Sequence, residues 1–238
     1  MTRLAVKRDT HLSRGEIAAE ALRQFDQGPS EPSLRSLAAA LRVAPAAIYH
    51  HYPSRMAIFQ GAVELVWNEA GANLLALAPK PLAADPTDLL VDGGIATRRA
   101  WLSHHRLARY MAATPAANEF TAAALGLMAT LFERLGLEGE QAAAAFHSYC
   151  TFMIGAVLFA AARRAADEQL AEEERRGPHG RLATPSPVPA ARQSKRQAPA
   201  TIDEMIDVSS VDPGRDEELF SQGLRRLIEG LTRARERF

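Results

Sequence analysis

Cysteine is nearly absent: Cys150 is the single one in 238 residues, so no intrachain disulfide can form, and no CxxC pair or Cys/His cluster has the spacing of a metal site. That excludes a disulfide-framework domain and fits a reducing, cytoplasmic compartment. Net charge is lacking too. Lys plus Arg equals Asp plus Glu at 28 each, so a polyanion would have to be held by a local patch and not by bulk charge. Met1 to Leu12 contains no apolar run long enough for a signal-peptide core. No segment alternates β-branched and polar residues over strand length, which points to an all-α fold. GxSxG, Walker, GxGxxG and HExxH motifs are all missing, so nothing recommends an enzyme and no cofactor is implied. One long uncharged run exists, the 22 residues from Gln141 to Ala162. Gln141, His147, Ser148 and Thr151 interrupt it and alanine dominates, the composition of a buried core helix and not of a membrane span.

What is present is helix signal from end to end. Ala18, Ala21, Leu22 and Phe25 fall at i, i+3, i+4 and i+7 behind a candidate Ser13 cap, and Gly28-Pro29 stops the helix. Ser33 caps a second short helix carrying Leu34, Leu37, Ala38 and Leu41. Pro45 suits the first turn of a third, running to about His51, because an N–H at that position would have no intrahelical partner. A fourth follows Ser54 from Met56 toward Leu77. Beyond Pro79 and Pro81, longer helices are expected over roughly Thr87–Ala113, Ala116–Leu135 and Glu138–Arg176. Residues 177–213 change character, with five prolines before residue 200 among Ser, Arg and Gln, and read as a mobile loop. A last helix from about Arg215 keeps Phe220, Gly223, Leu224, Leu227, Ile228 and Leu231 on one stripe.

The length and punctuation of Ser33 to His51 are those of a helix-turn-helix, whose second helix can enter a major groove. The string Ser33-Leu-Arg-Ser-Leu-Ala-Ala-Ala-Leu-Arg-Val-Ala-Pro-Ala-Ala-Ile-Tyr-His-His-Tyr-Pro-Ser-Arg55 sharpens this. With its flanks, over about residues 13 to 60, it resembles the DNA-binding domain of the TetR family of bacterial regulators. The resemblance implies a three-helix DNA-binding domain at 1–60 and a larger helical ligand-binding and dimerisation domain at 61–238. It also implies a homodimeric regulator, a repressor released from a near-palindromic double-stranded operator by an unknown small apolar or amphipathic molecule. Ser33, Tyr49 and Arg55 would then be phosphate-positioning groups, with Arg35 beside them, while Pro45, Ala46, Ala47, His50 and His51 face the base edges and Ile48 and Tyr52 point into the core. Three departures from the family pattern matter, one of them being Arg55 in the place usually taken by a lysine, which keeps the charge and adds a fork. Arg42 stands where the turn usually has glycine, a problem if that residue needs positive φ. Ala46 and Ala47 offer only methyl contacts, which leaves hydrogen-bonding readout to His50, His51 or backbone groups. Residues 1 to 60 carry eight Lys or Arg against five Asp or Glu, a modestly basic head.

For the C-terminal part, large side chains spaced by alanine are expected to wall a cavity between helices, with Trp101, His104, His105, Met128, Phe132, His147, Tyr149 and Cys150 as its ligand-binding residues. His104, His105 and Cys150 are not a metal site, since adjacent histidines on a helix point about 100° apart. The helices around Tyr149–Ala162 and Leu219–Leu231 are expected to pair across a two-fold axis, and charges at both Leu224 and Ile228 to yield monomers or insoluble chain. The competing reading is a helical small-molecule-binding or interaction protein with a weak or inactive DNA head.

Overall fold

A computed structural model of the chain describes residues 12–28, 30–77, 84–113, 119–176 and 213–234. Helix α1, Arg14–Gln27, starts on a capping box: Ser13 Oγ accepts from the Glu16 N–H at 3.2 Å, and Glu16 accepts from the Ser13 N–H at 2.8 Å. Its inner face buries Ile17, Ala18, Ala21 and Phe25. Helix α2, Leu34–Leu41, is capped the same way by Ser33 and Ser36. It ends where Arg42 takes up the left-handed conformation, φ 57 and ψ 41. The N–H of Val43 then reaches the Ala38 carbonyl at 3.0 Å and that of Arg42 the Ala39 carbonyl at 3.2 Å, the two bonds that close a helix over a left-handed residue. The turn is therefore wound as a glycine would wind it, with an arginine carrying the strain.

Helix α3, Pro45–Tyr49, has proline in its first turn and buries Ile48 completely. Helix α4, Arg55–Leu75, is capped by Ser54 and buries Ile58, Phe59, Ala62, Val63, Val66, Ala70 and Leu74 along one side. Tyr52 lies under it, and a Cβ at Gly61 would collide with the Tyr52 hydroxyl, which donates to the Arg14 carbonyl at 3.1 Å. At 21 residues α4 is about 30 Å long. Residue 60, the expected boundary between head and body, falls inside it, and one core runs across: Phe25, Leu37, Ile48 and Phe59 pack in the same cluster as Trp101, Leu107, Met111 and Val157.

The body contains α5 (Pro86–Ser103), a 3-10 helix (Ala108–Ala113), α6 (Glu119–Arg134), α7 (Gly139–Arg176) and α8 (Pro213–Ala234). The single helix expected over Thr87–Ala113 is broken at Ser103. His104 leaves helical geometry at φ −118, and the chain turns so that Leu107, Ala108 and Met111 seal the base of the head. Periodicity alone cannot register that turn. The segment expected as a mobile loop, 177–213, lies outside the described residues except for Pro213, where α8 begins. Helix α8 returns onto α5 and α7 through charge. Asp216 accepts from both Arg98 and Arg163, Arg98 is 4% exposed, and its guanidinium lies 4.9 Å from the centre of the Phe220 ring. Burial pushes the Asp216 carboxyl up, but the hydrogen bonds and charges of the two arginines outweigh it and hold the group below the usual aspartate range. A second core joins Leu90, Met128, Phe132, Tyr149, Met153, Leu224 and Ile228.

Candidate nucleic-acid interface and effector cavity

The outer surface of the head is assembled as the motif spacing requires. Ile48 and Tyr52 face inward, while Pro45, Ala46 and His50 are exposed, Ala47 and His51 are half-buried, and Tyr49 presents 53% of its surface to solvent. Ser33 and Arg35 are exposed at the start of α2, and Arg55 at the start of α4. The Ser33 hydroxyl is already engaged as the α2 cap. Arg14 braces the far side of the motif: it donates to the His51 carbonyl at 2.7 Å and stacks 4.3 Å over the Tyr52 ring. Arg55 pairs with Glu31 at 3.0 Å. Glu31 also takes Arg109 at 2.9 Å and the Tyr110 hydroxyl at 2.5 Å, both from the body's 3-10 helix. The Tyr110 hydrogen bond, working against partial burial and helped by Arg109 and Arg55, holds the Glu31 carboxyl below its usual range. An exposed head cation is thus tied through one carboxylate to the body, a link with no sequence signature.

Two of the expected ligand residues form a second bridge. His104 sits between Asp26 at 2.9 Å and Glu69 at 3.4 Å, and His105 lies 3.2 Å from Glu168. Arg106 alongside donates to the Asp26 carbonyl at 2.7 Å and to Glu168 at 2.6 Å. Among the described residues no group of three His, Cys, Asp or Glu is placed to hold a metal ion.

A cavity of about 260 Å³ lies elsewhere, open to solvent on one side and lined by α4, α5, α6 and α7. Met128, Tyr149 and Cys150 line it, but the other expected residues do not. Trp101 is fully buried behind Trp67, the rings meeting edge-on at 5.1 Å, and Phe132 packs behind Tyr149 at 6.2 Å. His104 and His105 lie past the end of α5 at the head junction, because that helix stops at Ser103. His147 is exposed, being two residues and about 200° around α7 from Tyr149. The wall that sequence reasoning missed is α4 itself: Trp67, Ala70, Gly71 and Leu74 stand at i, i+3, i+4 and i+7. That stripe, a large residue facing small ones, was a usable signal. Thr97, Ala124, Leu125, Phe146, Met153 and Ile154 complete the lining. The buried Tyr149 phenol donates to the Leu90 carbonyl at 3.0 Å, and desolvation raises its pKa. Burial likewise pushes the Cys150 thiol up to about 11, so it stays protonated at neutral pH.

A third surface is the outer side of α7 and α8. Phe159 is 58% exposed and Leu219 41%, with exposed Gly155 between neighbouring turns. Phe152 stacks on Phe220 at 5.7 Å and rests on Gly223, where a Cβ would approach its ring to 3.1 Å. Leu224 and Ile228 do not belong to this surface: both are fully buried in the chain's own second core. Of the two expected outcomes of charging these positions, burial in the chain's own core favours insoluble chain over soluble monomers.

A helix-turn-helix head fused through one shared helix to a helical body with an apolar cavity defines a DNA-binding regulator that carries its own sensor domain. Family models agree at both ends. Residues 17–62 match the bacterial regulatory proteins of the tetR family, and residues 79–235 match the tetracyclin repressor-like C-terminal domain. The chain belongs to the TetR family. Among curated proteins nothing matches. Solved structures share the fold at low identity. ActR from Streptomyces coelicolor in complex with (S)-DNPA is 22% identical, with TM-score 0.67 over 94% of this chain and 98% of that one. A substituted form of TetR from Acinetobacter baumannii AYE in complex with minocycline is 21% identical, with TM-score 0.64 over 94% and 99%. A possible TetR family regulator from Streptomyces coelicolor is 19% identical, with TM-score 0.68 over 93% and 100%.

Proposed function

We propose that the chain is a homodimeric, cytoplasmic transcriptional repressor that leaves a near-palindromic operator when a small apolar molecule fills the cavity. The observation that carries this reading is that α4 is both things at once: it begins at Arg55 on the exposed side of the head and ends as a cavity wall at Trp67, Ala70, Gly71 and Leu74. A ligand that favours a different placement of α4 favours a different spacing of two heads, and it shifts binding by its differential affinity for the two states. Tyr49, Arg35, Arg55 and the α2 N-terminus at Ser33 take phosphates, while Ala46 and Ala47 touch thymine methyls and His50 and His51 supply polar readout. The apolar seam of Phe152, Gly155, Phe159 and Leu219 pairs with its copy across a two-fold axis, which is why the operator is two-fold. The ligand complexes of ActR and of the Acinetobacter protein support a ligand-bound state in this fold.

The test is selection from randomised duplex DNA. Enriched sequences with two half-sites related by two-fold symmetry support the reading. Equal weak affinity for every duplex after selection overturns it.

A further inference from the structure

The chemistry of the cavity wall restricts what can enter, beyond its being small. Four helices contribute to it, yet among the described residues none on the lining is Lys, Arg, Asp, Glu or His. Of the hydroxyl and thiol groups on the wall, Tyr149 already spends its hydroxyl on the Leu90 carbonyl and Cys150 is a neutral thiol. The third, the Thr97 hydroxyl, has no hydrogen-bond partner among the described residues. The Trp67 indole N–H is sealed from solvent without a partner, so it faces packed protein and not the open volume. Met128, Met153 and Cys150 supply sulfur to the wall and Trp67, Phe146 and Tyr149 supply rings. Thioether and aromatic surfaces of this kind favour polarisable, ring-containing guests. Size follows by comparison: an apolar cavity of roughly 150 Å³ holds one benzene, and this one is about 260 Å³. Leu125, on the lining, is 41% exposed.

We propose that the effector is an uncharged, largely apolar molecule of about two fused rings bearing one hydrogen-bonding oxygen, and that this oxygen is placed against Thr97. A charged group is disfavoured because, among the described residues, no counter-charge or set of donors lines the cavity to replace its lost hydration. The single unpartnered hydroxyl sets orientation: an oxygen on the guest restores a hydrogen bond there, while an all-hydrocarbon guest leaves it unmade. The inference rests on the ligand-responsive reading for its biological meaning, but binding alone tests it.

Three isosteric probes are titrated calorimetrically into the full-length protein at neutral pH: 2-acetylnaphthalene, 2-ethylnaphthalene and 2-naphthoate. The ketone is expected to bind about 3- to 10-fold more tightly than the hydrocarbon, and at least about 100-fold more tightly than the carboxylate. Thr97→Val, which keeps the shape of the side chain, should erase the preference for the ketone and leave 2-ethylnaphthalene unaffected. Ala124→Phe, which fills the cavity, should abolish binding of both. Carboxylate binding as tight as that of the ketone, an undiminished ketone preference in Thr97→Val, or no binding by any probe would each overturn the proposal. If the ketone binds as described but a selected operator is retained, the ligand class stands and the regulatory reading fails.

Discussion

Asp216 offers the sharpest test of how α8 is held. It lies between Arg98 and Arg163, whose side chains are 5% and 20% exposed against 23% for its own. Asp216→Asn removes the charge with almost no change in shape, leaving the buried Arg98 guanidinium without its counter-ion. Removing one partner of a fully buried pair costs about 3–5 kcal/mol, and an exposed pair about 0–1 kcal/mol. With partial solvent access we expect roughly 2–4 kcal/mol, or about 4–16 °C in Tm for a chain of this size. One residue away, Glu217 pairs with Arg99, which is 66% exposed, so Glu217→Gln is an internal control expected to cost under about 1 kcal/mol. Urea unfolding at fixed protein concentration measures both, since dimer dissociation otherwise moves the midpoint. The folded-state pKa of Asp216 lies below its unfolded value. Its contribution is therefore present above the unfolded pKa, near 4, and fades as pH falls through the folded one, so wild type and Asp216→Asn should converge in acid. Equal losses from the two variants, or a difference that persists unchanged at low pH, would refute the reasoning.

At the turn, Arg42→Gly should raise stability by about 0.5–1 kcal/mol by relieving a left-handed non-glycine residue, checked by the same unfolding experiment; a loss would mean the arginine side chain is itself anchored. Arg55→Ala should weaken binding to all duplexes alike and flatten the plot of log affinity against log salt by about one unit for each phosphate no longer neutralised. Glu31→Gln should act in the opposite direction, freeing Arg55 and Arg109 and steepening that plot, and a fall in affinity would show instead that Glu31 holds Arg55 in place against the phosphate. Phe159→Glu should give soluble monomers in analytical ultracentrifugation, whereas Leu224→Glu should give unfolded chain; a stable dimer of Phe159→Glu would remove α7 from the interface.

The head was legible because its signals are local. Ser13, Ser33 and Ser54 each cap the helix expected behind them, and Pro45 begins the third. Even the anomaly was visible, since Arg42 does adopt the positive φ that its glycine-like position demands. The body was legible as helices but not as a site. The end of α5 at Ser103 follows from Leu107 and Met111 plugging a neighbouring core, and no property of residues 99–105 alone requires it. Arg98 and Asp216 meet across 118 residues, and Glu31 meets Tyr110 across 79. Pairs of that separation leave no periodic trace. Leu224 and Ile228 looked outward from composition because an amphipathic stripe says how much surface is apolar, not whether the chain itself or a second copy covers it.

Coupling between cavity and DNA is measured most directly by reciprocal titration. Affinity for a selected operator is determined with and without saturating 2-acetylnaphthalene, and affinity for 2-acetylnaphthalene with and without saturating operator. A shared α4 predicts that each weakens the other by the same factor, as linkage requires. Met128→Trp, which fills the cavity, should hold the operator and ignore the compound. Two affinities that both exist and are mutually indifferent would contradict the coupling, and with it the role assigned to α4.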